Sequence, residues 1–318
     1  MKMKNETNEI LSQIVKTLDD AGYSVSEVDS GDYCLEVVAK KDNTKLLIKT
    51  LLNVDSERRE AADDLRNMAA SFSASPIIIA SRMQNGLIEE GALYARFGVN
   101  VVNPTTFREA ALKGMLPIVY SKRGGLYVKI DGDALKRYRE AQGMSLGNLA
   151  SKIGVSRKAI YEYEREQMGA TLATVAKIEK VIKANVITGI NILTSTPKAT
   201  DFTPPTRDVA RQLHHKLKEI GCKAIGFNYA PIDVHMHDAD VGFLTNENMR
   251  DADLERKVDS ALHVGGLLGM EPVLVTKDSC HLEKDITTIK LDDIRLVKKK
   301  GDLERLLKID FSETSDCN

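Results

Sequence analysis

The sequence predicts two α/β units flanking a small all-helical bundle, and three observations carry that prediction. Helix-like and strand-like patterns alternate in residues 1–122 and again in residues 207–311. Between them, residues 131–187 show only short helices joined by tight turns. The stretch Asn191 to Thr206 holds three of the eight prolines (Pro197, Pro204, Pro205) among Ser and Thr and has no apolar period, so residues 188–206 read as a linker.

In the first unit, Ile10, Ile14, Val15 and Leu18 fall at helical spacing and end at Gly22. Cys34–Ala39 and Leu46–Leu51 read as strands joined by the polar turn Lys41-Asp42-Asn43-Thr44. Ser56–Phe72 is charged and helical, Pro76–Ala80 a short buried strand, Glu89–Phe97 helical, Val99–Val102 a strand and Thr105–Leu112 a helix. The unit ends near Lys122-Arg123-Gly124-Gly125, where a Gly pair interrupts the pattern before Leu126–Ile130.

The third unit follows the same plan. Val209–Ile220 is a helix stopped by Gly221, Ala224–Asn228 and Val241–Leu244 are strand-like, and Ala252–Leu268 is a helix closed by Gly269. Pro272–Thr276, Thr287–Leu291 and Leu303–Leu307 complete it. A Pro-led apolar strand follows the long helix in both units, SPIIIAS in one and EPVLVTK in the other, which reads as a degenerate duplication.

In the middle unit, Asp133–Gln142 is a helix with an acidic start, with Leu135, Tyr138 and Ala141 at buried spacing and Gly143 as its stop. Ser145 is placed to cap Leu146–Ile153, whose Leu149, Ala150 and Ile153 face inward. Ser156 caps a third helix, Arg157–Glu166, and Thr171 a fourth, whose Leu172, Val175, Ile178 and Ile182 form one apolar stripe. The spacing of Ala150, Gly154 and Ile160 is a helix-turn-helix signal. A small residue lets the third helix cross closely, Gly154 supplies a left-handed turn, and Ile160 plugs the shared core. With Ile160, Ser156 and Tyr163 to Glu164 on the inner side, Arg157, Lys158, Tyr161, Glu162 and Arg165 project outward. Arg157 and Lys158 suit guanine O6 and N7 or phosphate, Glu162 suits cytosine N4, and Tyr161 a thymine methyl or phosphate. The free backbone N–H groups after Ser145 and Ser156 suit phosphate oxygens.

Composition narrows the class. A chain of 318 residues exceeds one ordinary core. Its 45 Lys plus Arg balance 46 Asp plus Glu, which excludes a globally basic coat. Residues 131–183 carry 10 basic and 7 acidic side chains, whereas residues 184–318 carry 18 and 22, so the basic part is the middle. No stretch approaches the roughly 18 apolar residues of a membrane span, and the start, MKMKNETNEILSQIV, has no apolar core of a secretory signal. Cys34, Cys222, Cys280 and Cys317 make no CxxC pair, which disfavours a zinc knuckle and fits a reducing, cytoplasmic setting.

LKRYREAQGMSLGNLASKIGVSRKAIYEYERE followed by TLATVAKIEKVI resembles a Cro/C1-type (XRE) helix-turn-helix over about 50 residues. The layout of this module between two α/β flanks is similar to a group of archaeal HTH-type transcriptional regulators. The resemblance implies base reading by the third helix, carried onto Arg157, Lys158 and Glu162, with Ser156 and Tyr161 nearby. Two positions depart from the pattern: Leu146 stands where many members have a phosphate-gripping Gln, and Glu166 where a Gly is usual.

The helix, β-hairpin and long helix of the first unit resemble the restriction-endonuclease-like PD-(D/E)XK fold. That chemistry needs an Asp, then an acidic residue two before a Lys, to hold Mg²⁺ and activate water. Here Asp32 begins the hairpin and Lys49 lies in Leu47-Ile48-Lys49, so the acidic position is Leu47. No catalytic residue, metal or cofactor is therefore expected, and Lys49 is expected at the sheet end with its charge solvated. In the third unit Asp240 precedes Val241-Gly242-Phe243-Leu244 with no corresponding Lys. The run His235-Met236-His237-Asp238-Ala239-Asp240 reads as a polar turn rather than a metal site, His214-His215 as no chelating pair, and Lys298-Lys299-Lys300 as solvated.

The expectation is a non-enzymatic, sequence-specific regulator that binds double-stranded DNA, as a homodimer formed and fixed in spacing by the flanks, with a small-molecule effector as a further partner. Two readings of other classes stay open: an Mg²⁺-dependent nuclease targeted by the helix-turn-helix, and an assembly scaffold without DNA affinity.

Overall fold

A computed structural model describes residues 2–28, 33–84, 86–122, 125–197, 204–247, 249–277 and 284–309. Asp32, Arg123, Gly124, residues 198–203 of the linker, Cys280 and Cys317 lie outside the described residues.

The first unit runs α1 (Lys2–Asp20), β1 (Ser24–Glu27), β2 (Val37–Lys41), β3 (Thr44–Asn53), a 3-10 turn at Val54–Ser56, α2 (Arg59–Ser71), β4 (Ser75–Met83), β5 (Gly86–Leu87), β6 (Ala92–Arg96), β7 (Val99–Val102) and α3 (Pro104–Lys113). A hairpin of β8 (Val119–Lys122) and β9 (Gly125–Val128) extends the same sheet, in the order β1-β2-β3-β4-β7-β6-β8-β9, with β5 on the end of β4. Strand β3 alternates its side chains between two cores. Ile48 packs with Ile14, Leu18 and Phe107 of α1 and α3, and Leu47 packs with Leu65 and Met68 of α2.

Three sequence expectations change here. Glu89–Phe97 is not helical: β6 pairs antiparallel with β7 through a two-residue turn in which Phe97 and Gly98 both take positive φ, 48° and 81°. The Gly pair at 124–125 does not end the unit, because β8 and β9 carry its sheet on to Val128. The segment read as a linker is anchored at its start. Ile192 is fully buried in the core under α1 and α3, and Ile190 and Leu193 pack against the same core, so these three apolar side chains tie the segment's start down.

The middle unit is α4 (Gly132–Ala141), α5 (Leu146–Ile153), α6 (Arg157–Glu164) and α7 (Leu172–Ile182) around its own core. Both of its ends are held to the first unit. Asp131 N donates to Val186 O (2.8 Å), Thr188 N to Lys129 O (3.1 Å) and Ile190 N to Pro117 O (2.8 Å). The helices therefore form an insertion between two neighbouring extended segments, not a module on a tether.

The third unit runs α8 (Asp208–Glu219), β10 (Ala224–Gly226), β11 (Val234–Met236), β12 (Val241–Thr245), α9 (Asp251–Leu268), β13 (Glu271–Thr276), β14 (Thr287–Lys290), α10 (Leu291–Leu296) and α11 (Lys300–Leu307). Its sheet, β10-β11-β12-β13-β14, repeats the pairing senses of β1-β2-β3-β4-β7: two antiparallel pairs, then two parallel ones. The His235–Asp240 run is a strand end plus turn rather than a turn alone, with His235 wholly buried.

The two α/β units share one core. Leu65 and Met68 of α2, Phe72 at its end, and Leu254, Val258 and Ala261 of α9 lie in a continuous apolar layer with Leu47 and Ile78 of one sheet and Leu244 and Leu274 of the other. Polar clamps cross the same boundary. Asp64 of α2 accepts from the backbone N–H groups of Asn228 (2.6 Å) and Tyr229 (2.7 Å), and burial raises its carboxyl to about 6. Ser71 Oγ lies 2.5 Å from His235 Nδ1, and Lys45 Nζ donates to Leu268 O (3.2 Å).

Candidate nucleic-acid interface

The middle unit is built from local capping chemistry. Ser145 caps α5 by accepting from Asn148 N (3.1 Å), Ser156 caps α6 by accepting from Ala159 N (3.0 Å), and Thr171 caps α7. Each cap satisfies one of the backbone donors that a helix start leaves unpaired. Gly154 closes α5 at φ 84°, the left-handed region in which a Cβ is strained. Leu149, Ala150, Ile153, Ile160 and Tyr163 are buried together, so the small Ala150 permits the close crossing of α5 and α6.

The outward face of α6 is open. Arg157, Lys158, Tyr161 and Arg165 are exposed, Glu162 is half-buried, and Ser145 and Ser156 stand exposed at the two helix starts. All seven predicted site residues thus lie on α6 or at a cap beside it. Arg165 is held against the helix: its Nη1 donates to Tyr161 Oη (2.8 Å) and its guanidinium lies over the Tyr161 ring, with the remaining N–H groups facing solvent. The helix is two residues shorter than expected, and the chain turns at Glu166, which takes φ 54°. A Gly suits that conformation and Glu does not, but Lys129 offsets the added charge with an ion pair at 3.3 Å.

The inner face departs from its apolar pattern. Leu135 is buried as expected, but Tyr138 is 43% exposed and Ala141 is exposed; in their place α4 buries Ala134 and Arg139. Arg139 pairs with Glu164 through Nε–Oε1 and Nη2–Oε2, the second at 2.9 Å, and its Nη1 donates to Met144 O (2.8 Å). This two-pronged clamp ties the base of α6 to α4. Apolar periodicity misses it because the buried residue is a cation; a helical Arg 25 residues before a helical Glu is the only trace it leaves in the sequence.

The α/β units carry a second constellation. Glu36, just ahead of β2, accepts from Thr50 N (2.6 Å) and lies 2.6 Å from Lys49 Nζ, which also donates to Tyr33 O (2.7 Å). Lys49 is therefore paired and half-enclosed, not solvated: the neighbouring strand supplies a carboxylate that desolvation would otherwise make costly. Burial raises the Glu36 carboxyl, and Lys49 pulls it back down. A cleft of about 150 Å³ opens beside them, with Glu57, Arg58 and Tyr229 on its walls. Leu47, at the position the nuclease chemistry requires to be acidic, is fully buried in the core.

In the third unit the matching acid is Asp233, not Asp240. Asp233 N donates to Phe243 O and Thr245 N to Asp233 Oδ2, as Glu36 N donates to Ile48 O and Thr50 N to Glu36 Oε2. Leu244 occupies the place of Lys49, and the cation comes from α9 as Lys257, 2.5 Å from Asp233, with Arg207 at 2.9 Å. Among the described residues, no cluster of three His, Cys, Asp or Glu side chains has the spacing to hold a metal ion, and no helix is long and apolar enough to cross a membrane.

Known proteins resemble the chain in both parts. Residues 7–117 match the PD-(D/E)XK superfamily domain and residues 135–185 a helix-turn-helix family. Among curated proteins, one from Thermococcus gammatolerans is 30% identical over 312 residues, covering 95% of this chain and 96% of its own length. One from Archaeoglobus fulgidus is 30% identical, covering 94% and 97%, and one from Methanocaldococcus jannaschii is 31% identical, covering 94% and 95%. Each carries the name "putative HTH-type transcriptional regulatory protein". No solved structure matches the chain.

Proposed function

Because the chain belongs to this family of archaeal HTH-type transcriptional regulatory proteins, we propose that it is a sequence-specific, double-stranded-DNA-binding transcription regulator acting in the cytoplasm. One observation carries the reading: the face of α6 bearing Arg157, Lys158, Tyr161 and Arg165 is uncovered, on a helix whose far side is locked by Ile160 and Glu164. Phosphate contacts from the starts of α5 and α6, at Ser145 and Ser156, supply most of the affinity; Arg157, Lys158 and Glu162 supply base discrimination. Selection of bound sequences from random duplex DNA tests it. Arg157→Ala is expected to lose about 1–3 kcal/mol at one base position and relax that position alone. An unchanged preference removes Arg157 from the readers.

The α/β units, on this reading, have no enzymatic step. Supporting this, Leu47 offers no oxygen to a cation, and Lys49 is already engaged by Glu36. Nicking of supercoiled plasmid with Mg²⁺ or Mn²⁺ that disappears in Lys49→Met would establish the nuclease reading instead. A two-fold dimer, placing two copies of α6 about one DNA turn apart, is the expected binding form. Its contacts fall outside the layer that the two units already bury against each other. Sedimentation of the DNA complex as a single copy would refute the dimer. A cleft of about 380 Å³ between Tyr94, Tyr120 and the loop at Gln167–Met168 supports a small-molecule effector, since it borders the exit of α6. Filling it with Ala95→Trp should abolish any effector response while DNA binding persists.

A further inference from the structure

The hairpin that precedes the helix-turn-helix lends Val128 to the core of the helices and is fastened to the loop leaving α6. Val128 N donates to Ala170 O (2.7 Å) and Ala170 N to Val128 O (3.2 Å). Gly169 lies so close that a Cβ there would collide with the Tyr120 hydroxyl and Val128 O. The hairpin register pairs Tyr120 with Tyr127 and Lys122 with Gly125. Residues directly opposite in an antiparallel pair share a face, and so do alternate residues along each strand. Lys122, Tyr120, Tyr127 and Lys129 therefore occupy one face, and it is the face turned to this loop: Tyr120 meets Gly169 there and Lys129 pairs with Glu166.

From Arg165 to Met168 four successive residues are exposed, so the chain that leads from α6 toward this hairpin runs along the surface. Lys122 is itself exposed, and Tyr127 is half-exposed, with its ring 6.0 Å from that of Tyr120. The acid along this path, Glu166, is neutralised by Lys129. From the Val128 anchor to Gly125 the strand reaches about 10 Å at roughly 3.3 Å per residue. A major groove is about 12 Å wide, so a helix inside it and a hairpin beside it can meet the groove and its bordering phosphates together.

We propose that the β8–β9 hairpin is a second DNA-contacting element, laying Lys122 and the Tyr127 hydroxyl on backbone phosphates that flank the groove entered by α6. The proposal rests on the DNA-binding reading above. The hairpin positions the complex and carries no sequence information, because a lysine ammonium and a phenol hydroxyl read phosphate and not base edges.

The test is salt-dependent binding of the full-length chain to two duplexes of equal length, its selected sequence and an unrelated one. Lys122→Gln is expected to weaken both by a similar factor, lower the slope of log affinity against log salt by about 0.9, and leave base preference unchanged. Tyr127→Phe keeps the ring against Tyr120 and removes only the hydroxyl; it is expected to lose hydroxyl-radical protection at the flank of the footprint and not at its centre. Unchanged slope and flank protection in both variants, with wild-type binding intact, overturns the hairpin and spares the role of α6. A wild-type chain retained by neither duplex overturns the DNA reading and the hairpin with it.

Discussion

The two α/β units solve one electrostatic problem in different ways. Each places a carboxylate just before the second strand of its sheet, held by the same strand-to-strand hydrogen bonds: Glu36 against Ile48 and Thr50, Asp233 against Phe243 and Thr245. A carboxylate there loses water on folding and needs a cation. The first unit takes it from the adjoining strand, and the Lys49–Glu36 pair keeps an edge on a cleft, at 14% and 12% exposure. The third takes it from the following helix, and Lys257 and Asp233 are closed off at 1% and 2%. The first unit's own following helix carries instead a buried acid, Asp64, turned toward its neighbour's backbone. The hairpin geometry thus creates the demand for a cation, and where the cation comes from decides whether solvent can still enter.

Removing the closed cation should have the largest effect. Lys257→Met leaves Asp233 buried with Arg207 as its remaining charged partner, and breaking such a pair costs about 3–5 kcal/mol. Denaturant unfolding measures it, and adding Asp233→Asn should recover part of the loss. A loss under about 1 kcal/mol would mean that water already reaches the pair, and the contrast between the units would collapse.

Asp64 tests the boundary between them and runs the other way. Its pKa rises on folding from an ordinary carboxylate value to about 6, so folding takes up a proton. Its favourable contribution is whole below about pH 4 and is lost as pH rises through 6. Asp64→Asn keeps an oxygen for Asn228 N and Tyr229 N without the charge. At pH 7 it should stabilise the chain by up to about 3 kcal/mol, at roughly 1.4 kcal/mol per unit. The gain should vanish near pH 4. A destabilised variant at pH 7 would show that the ionised form is the one the interface needs.

The open pair should be cheaper to break. Lys49→Met is expected to lose about 2 kcal/mol, because Glu36 keeps Thr50 N and gains access to water through the cleft. Equal losses for Lys49→Met and Lys257→Met would erase the distinction between an open and a closed site.

What the sequence revealed follows the same division. The caps, the Gly154 turn and the Ile160 plug were legible because each depends on neighbours within a few residues, and α6 stands where that spacing placed it. Leu47 could be read as non-acidic for the same reason. The carboxylate partners could not: Glu36 meets Lys49 across a strand register, Asp233 meets Lys257 across a helix packing, and Arg139 meets Glu164 across 25 residues. A search for an acid before a strand points to Asp240, since only the pairing of β11 with β12 distinguishes it from Asp233. Strand β6 reads as helix in the sequence because its Phe97-Gly98 turn needs left-handed φ at a phenylalanine, which composition does not announce.

A far more open carboxylate–lysine pair, Glu166–Lys129, sets the lower end of the series. Both side chains are over 40% exposed, and pairs of that kind contribute about 0.2–1 kcal/mol. Glu166→Gly loses that pair and adds freedom to the unfolded chain, but it removes the strain of a left-handed glutamate, worth about 1 kcal/mol. These nearly cancel, so unfolding stability should stay within about 0.5 kcal/mol of wild type. DNA binding should not stay level. Loss of the negative charge beside α6 frees Lys129 on the same face as Lys122, and the salt slope should steepen by up to about 0.9. A weaker complex with unchanged stability would instead make Glu166 a strut that holds the loop, and the gradient from closed to open pairs would end at Lys49.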